Sequence, residues 1–135
     1  MPASLVVLDS FALLTFLRDE PGAETVAQIL EKAESRDRRI HMTEVNYAEV
    51  QYIIRRKDGA AAWEVVAREL QALPIEFHAA TRMLANAAAD FKARFKISLA
   101  DAFAAALAQE KKAELVTGDP EFKSLEKEIK INWLK

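Results

Sequence analysis

Cysteine is absent from the 135 residues, and with it go disulfides, thiolate zinc sites and cysteine nucleophiles. Any metal this chain holds must be ligated by oxygen or nitrogen. Glycine and proline are scarce, at three and four residues, which argues against a long disordered linker and against a sandwich of many short strands. No apolar run approaches the ~20 residues needed to span a bilayer. The first residues lack the basic segment and apolar stretch of a signal peptide, so a cytoplasmic, soluble protein is expected. Excess positive charge is missing too: 19 Lys and Arg stand against 21 Asp and Glu, a net charge of −2, without the global basicity of many nucleic-acid binders. Local basic clusters remain at Arg36, Arg38 and Arg39 and at Arg55, Arg56 and Lys57, either solvated faces or a rim around an acidic site. The only histidines are His41 and His78. One lies on an expected strand and the other just before an expected helix, and both read as structural.

What is present is a 51% hydrophobic chain of the size of one globular domain, residues 1–135, long enough to bury a substantial core. Leu5-Val6-Val7-Leu8 is a short continuous apolar run stopped by Asp9-Ser10, the signature of a strand buried on both faces. A helix over Phe11–Leu17 follows, then a break at Pro21-Gly22 and a second helix over Ala23–Glu34. Arg39–Met42 is a weak strand. Thr43 caps a helix running to about Arg56, and Asp58-Gly59 separates it from another over Ala60–Leu73. The remaining elements are a strand at Ile75–Phe77, helices over Ala79–Phe95 and Leu99–Lys111, a strand at Glu114–Thr117 and an edge strand within Ile129–Trp133. Strands alternating with helices imply right-handed crossovers, hence a three-layer α/β/α sandwich around a central, mainly parallel sheet. Sites in such domains lie beyond the carboxyl ends of the strands.

Four carboxylates stand where local structure explains them poorly. Asp9 and Asp119 each follow a buried strand directly, so both are placed at its carboxyl end, where a turn or capping role is the alternative. Asp101 is the only charged residue between Ile97 and Gln109, in a helix apolar nearly all round and therefore buried. An unpaired carboxylate there costs several kcal/mol, on the order of the effective desolvation penalty per ion, with some relief from the helix dipole. On the helix after Thr43 the apolar stripe reads as Val45, Ala48, Tyr52 and Ile53, with Glu49 in its middle and Glu44 turned to solvent. If the four acids meet, they repel one another unless neutralised. A hard divalent cation, Mg2+ or Mn2+, held by Asp9, Glu49, Asp101 and Asp119 is the economical answer.

At these same residues the sequence resembles the VapC-type toxins of the PIN-domain family. Val6-Val7-Leu8-Asp9-Ser10-Phe11-Ala12-Leu13-Leu14 is similar to the opening motif, with Glu20-Pro21-Gly22-Ala23-Glu24 after it. Thr43-Glu44-Val45-Asn46-Tyr47-Ala48-Glu49-Val50 is similar to the second motif, whose acid falls on Glu49. Ile97-Ser98-Leu99-Ala100-Asp101-Ala102-Phe103 and Leu115-Val116-Thr117-Gly118-Asp119-Pro120-Glu121-Phe122 resemble the third and fourth. Position 121, often acidic in that family, is glutamate here. The resemblance implies a PIN-like domain that is a Mg2+- or Mn2+-dependent endoribonuclease acting on RNA, a toxin restrained by a VapB-like antitoxin, and a homodimer. It implies that Asp9, Asp101 and Asp119 hold the metal directly or through water while Glu49 ligates it or orients the attacking water. Ser10 and Thr117 would then orient carboxylates, or simply cap and turn.

The alternative from another class is a non-catalytic PIN-like module that grips RNA or a protein; losing one or more of the acids would mark it, and all four are present. Phosphatases of the haloacid dehalogenase type need a second aspartate two residues after the first, where this chain has Phe11. Phospho-receiver domains need an early acidic pair, which is missing around Asp9. Trp63, Val66 and Leu70, with Tyr47 or Ile54, are expected to leave an apolar surface that favours self-association.

Overall fold

The computed structural model describes residues 5–134; the ends of the expected 1–135 unit, residues 1–4 and 135, lie outside them. The elements run β1 (Val6–Leu8), α1 (Ser10–Leu17), α2 (Ala23–Ser35), β2 (Ile40–Thr43), α3 (Glu44–Asp58), α4 (Ala60–Ala72), β3 (Ile75–His78), α5 (Arg82–Arg94), α6 (Leu99–Lys111), β4 (Glu114–Thr117), a 3-10 turn (Pro120–Leu125) and β5 (Ile131–Trp133). The five strands form one sheet in the order β3-β2-β1-β4-β5, and every neighbouring pair is parallel. Among the described residues, no helix is long and apolar enough to cross a membrane.

Successive strand residues point to opposite faces, and that alternation divides the core in two. Val7 and Leu115 turn toward α5 and α6, joining Leu84, Phe91, Leu107 and Phe122. Leu8, Ile40, Met42 and Val116 turn the other way, against Leu13, Leu30, Val50, Trp63 and Leu70 of α1 to α4. The inner strands β1 and β4 are covered on both faces, which is why each carries an unbroken apolar run.

Two differences from the sequence reading have clear causes. The helix expected from Ala79 starts at Arg82, because Thr81 is extended and its side chain accepts a hydrogen bond from the Leu84 amide, the arrangement of an N-cap. The stripe expected on α3 is not its buried face. Asn46, Val50 and Ile54 are buried, while Ala48 and Tyr52 are exposed, so the helix is rotated toward the polar Asn46. Likewise Trp63, Leu70 and Ile54 are core residues, and Tyr47 packs edge-to-face against Trp63 and Phe77. The apolar surface expected from these side chains is therefore inside the protein.

Candidate carboxylate site

β1 and β4 are neighbours, with Leu8 paired to Val116, so the residues that leave their carboxyl ends, Asp9 and Asp119, emerge side by side. Asp9 is 1% exposed. It caps α1, accepting from the Ala12 amide at 2.8 Å with Oδ1 and from the Thr117 hydroxyl with Oδ2. The same Thr117 oxygen accepts from the Asp119 amide at 3.0 Å. One hydroxyl thus ties the two strand-end acids together, matching the carboxylate-orienting role expected of Thr117. Asp119 in turn caps the 3-10 turn, taking the Glu121 amide on Oδ1 at 2.9 Å. Gly118, between Thr117 and Asp119, leaves room for the Phe11 ring: a Cβ there would lie 2.3 Å from it and oblige that exposed ring to swing aside.

Asp101 arrives from α6. That helix is buried continuously from Asp101 to Ala108, and Ser98 caps it by accepting from the Asp101 amide. Side-chain oxygens of Asp101, Asp119 and Glu121 lie within 4.8 Å of one another. Glu121 completes this triple although it was noted in sequence only as an acidic position of the fourth motif; the carboxylate two residues after a strand-end aspartate was the available signal. Asp9 and Glu49 are outside the triple but inside its field. Burial pushes the Asp9 carboxyl up to about 7, helped by the charges of Asp119 and Glu49 and opposed by its hydrogen bonds. Burial likewise pushes Asp101 up to about 8, with Asp119, Asp9 and Glu121 adding to it. All five acids therefore share one electrostatic neighbourhood, with a tight core of three.

Glu49 is half-buried and Glu44 exposed. Glu49 is the member of the pair that acts on Asp9, although it flanks the buried face of α3 and does not sit within an apolar stripe. Beneath the acids lies a residue the sequence reading passed over. Asn46, fully buried, joins the Thr43 hydroxyl and donates through Nδ2 to Ser10 Oγ at 3.1 Å and to the Ala100 carbonyl at 3.2 Å. It binds α1, α3 and α6 into one polar knot. Ser10 donates to the Asn46 carbonyl, so it serves this knot; the carboxylate role expected of it falls to Thr117. The signal for Asn46 was an amide three residues after a threonine cap on an otherwise amphipathic helix.

Oxygen donors alone, with Asp101, Asp119 and Glu121 converging and with the Asp9 and Asp101 carboxyls pushed up first by burial and then by the neighbouring acids, are the set that suits a hard divalent cation. One basic cluster lies at the opposite ends of the strands and the other at the far end of α3. Arg36, Arg38 and Arg39 line a cavity of ≈ 210 Å³ with Val6, Ile40 and Glu114, at the amino ends of the strands. Arg55, Arg56 and Lys57 occupy the last turn of α3, roughly 15–20 Å from its start at 1.5 Å per residue.

The family model of the PIN domain matches residues 6–128. No curated protein sequence matches the chain. Among solved structures the chain is similar to VapBC2 from Rickettsia felis bound to a fragment of promoter DNA, with TM-score 0.77 and 15% identity over 97% of this chain and 99% of the other. It is similar to a toxin–antitoxin complex from Klebsiella pneumoniae, with TM-score 0.67 and 16% identity over 89% and 92%. A sarcin-ricin loop cleaving VapC toxin from Mycobacterium tuberculosis gives TM-score 0.70 and 14% identity over 89% and 94%. At such identities the likeness is one of fold.

Proposed function

The chain belongs to the PIN-domain family, and from that membership we propose that it is a divalent-cation-dependent endoribonuclease, the toxin of a type II toxin–antitoxin pair. One observation carries the reading: Asp101, Asp119 and Glu121 converge within 4.8 Å beside a buried Asp9, beyond the carboxyl ends of adjacent parallel strands where such folds place their sites.

In this reading Asp101, Asp119 and Glu121 hold the cation with Asp9, and Mg2+ or Mn2+ fits the oxygen donors. The bound cation supplies charge stabilisation at the scissile phosphate and lowers the pKa of a water. The chain's own residues do the rest. Thr117 fixes Asp9 and Asp119 relative to each other, Asn46 holds the three helices that deliver the acids, and Glu49 orients and accepts a proton from the attacking water. Phe11, 43% exposed beside Gly118, offers a face on which a base next to the scissile phosphate stacks.

The likeness to VapBC2 supports a VapB-like antitoxin as the partner. The test is cleavage of RNA by the purified chain with Mg2+ or Mn2+, with EDTA, and with Asp101→Asn. Metal-dependent endonucleolytic products absent from the variant are expected. RNA binding without cleavage under every metal condition would turn the reading toward a non-catalytic binding module.

A further inference from the structure

A second group of ligands lies on the other side of the sheet's centre, where β3 forms an edge. His41 on β2 is paired in register with Glu76 on β3, and Thr43 with His78, so His41, Glu76 and His78 share the face turned toward α6. His41 Nδ1 stands 2.8 Å from His78 Nε2. Glu76 Oε2 approaches the same His78 nitrogen at 3.4 Å. Ligand atoms of all three residues fall within 4.8 Å of one another. His41 is buried, His78 half-buried and Glu76 exposed, so the group opens to solvent on one side.

With His78 Nε2 protonated, its one hydrogen is shared between the His41 Nδ1 lone pair and the Glu76 carboxylate. With that hydrogen removed, three lone pairs converge on the same small space, which one cation can fill in its place. Two imidazoles and a carboxylate are a known zinc donor set, with room for water at a fourth position.

We propose that His41, Glu76 and His78 form a binding site for a borderline divalent transition metal, Zn2+ being its probe, which straps the edge strand β3 to β2. Two nitrogens at about 2.0–2.1 Å from a tetrahedral ion stand roughly 3.3 Å apart, so the His78 ring has to move by about half an ångström, which its partly open position permits. Lys111 also acts electrostatically on His41, and its positive charge opposes a cation at this site. Nothing in this reading depends on nuclease activity.

The experiment is calorimetric titration of the full chain with Zn2+ in millimolar Mg2+, using as parent a variant with Asp101→Asn, Asp119→Asn and Glu121→Gln so that the carboxylate triple is silent. One Zn2+ per chain is expected, with affinity reduced at least about tenfold by His78→Gln and also by Glu76→Gln, a loss that removing even an outer-shell partner commonly brings. Zn2+ should raise the thermal midpoint of the parent by several degrees and leave that of the His78→Gln variant unmoved. Glu76 is exposed, so its variant folds whatever becomes of His78. No Zn2+ binding by the parent, or binding unchanged in Glu76→Gln and His78→Gln, would overturn the proposal and leave the pair as an ordinary imidazole contact.

Discussion

Asp101 and Asp9 are held near pH 8 and 7 by burial and by the acids around them, and this fixes the sign of a stability effect. Both folded values lie above the unfolded 3.8, so between about pH 4 and 8 the folded state binds more protons than the unfolded state. The stability these groups contribute is complete below the unfolded value and is lost as pH rises through 7 to 8. In EDTA the thermal midpoint should fall over that window, millimolar Mg2+ or Mn2+ should restore it, and Asp101→Asn should raise the neutral-pH midpoint of the metal-free protein. The same variant should lower RNA cleavage by at least about a hundredfold, the scale of losing one group that acts in the transition state. A metal-free midpoint that does not change with pH or with this substitution would show that the acids do not repel one another. Glu49→Gln should be severely impaired in cleavage and Glu44→Gln close to wild type. The sequence chose Glu49 by an apolar stripe that is not the buried face of α3. Rotation of α3 is decided by Asn46, a polar residue whose burial depends on Ser10 and Ala100, 36 and 54 positions away. Asn46→Ala should cost about 1–3 kcal/mol, the price of stranding buried polar groups, seen as a lowered urea midpoint.

At the level of elements, α6 is the axle of the structure. Residues 101–108 are all buried, and five of those eight are alanine, which lets α5, α3 and the sheet approach its backbone closely. Ala105 is fully buried, so Ala105→Leu should overpack the helix at a cost of about 1–3 kcal/mol, measured as a lowered denaturation midpoint with an unchanged m-value. An absence of effect would reveal a void beside α6. This helix could be read from sequence within its observed limits because its apolar character is local. The 3-10 turn after Asp119 was harder, since Gly118-Asp119-Pro120 signals a turn of any kind. What selects this one is the bond from the Glu121 amide to the Asp119 side chain, together with the burial of Phe122 and Leu125 under α6.

Seen as a whole molecule, the five-strand order β3-β2-β1-β4-β5 puts the first strand in the middle. The alternation of strands and helices made the parallel sheet legible, but which strands would be neighbours depended on contacts between distant parts of the chain that no local pattern records. β1 waits for β4, and 108 residues separate Asp9 from the Thr117 that holds it. A chain ending at Lys112 lacks β4, Thr117, Asp119 and Glu121, and should show no cooperative thermal transition; a sharp one would mean that β1 to α6 fold without the β4 pairing. The order of the strands also sets a clock on the ribosome. At about 5–20 residues per second, roughly 5 to 20 seconds pass between synthesis of Asp9 and of Thr117. Through that interval the growing chain gains Glu49 and then Asp101 but still lacks Asp119 and Glu121, so the group of acids is completed only near the end of synthesis, and any chemistry that needs all of them cannot begin on the nascent chain.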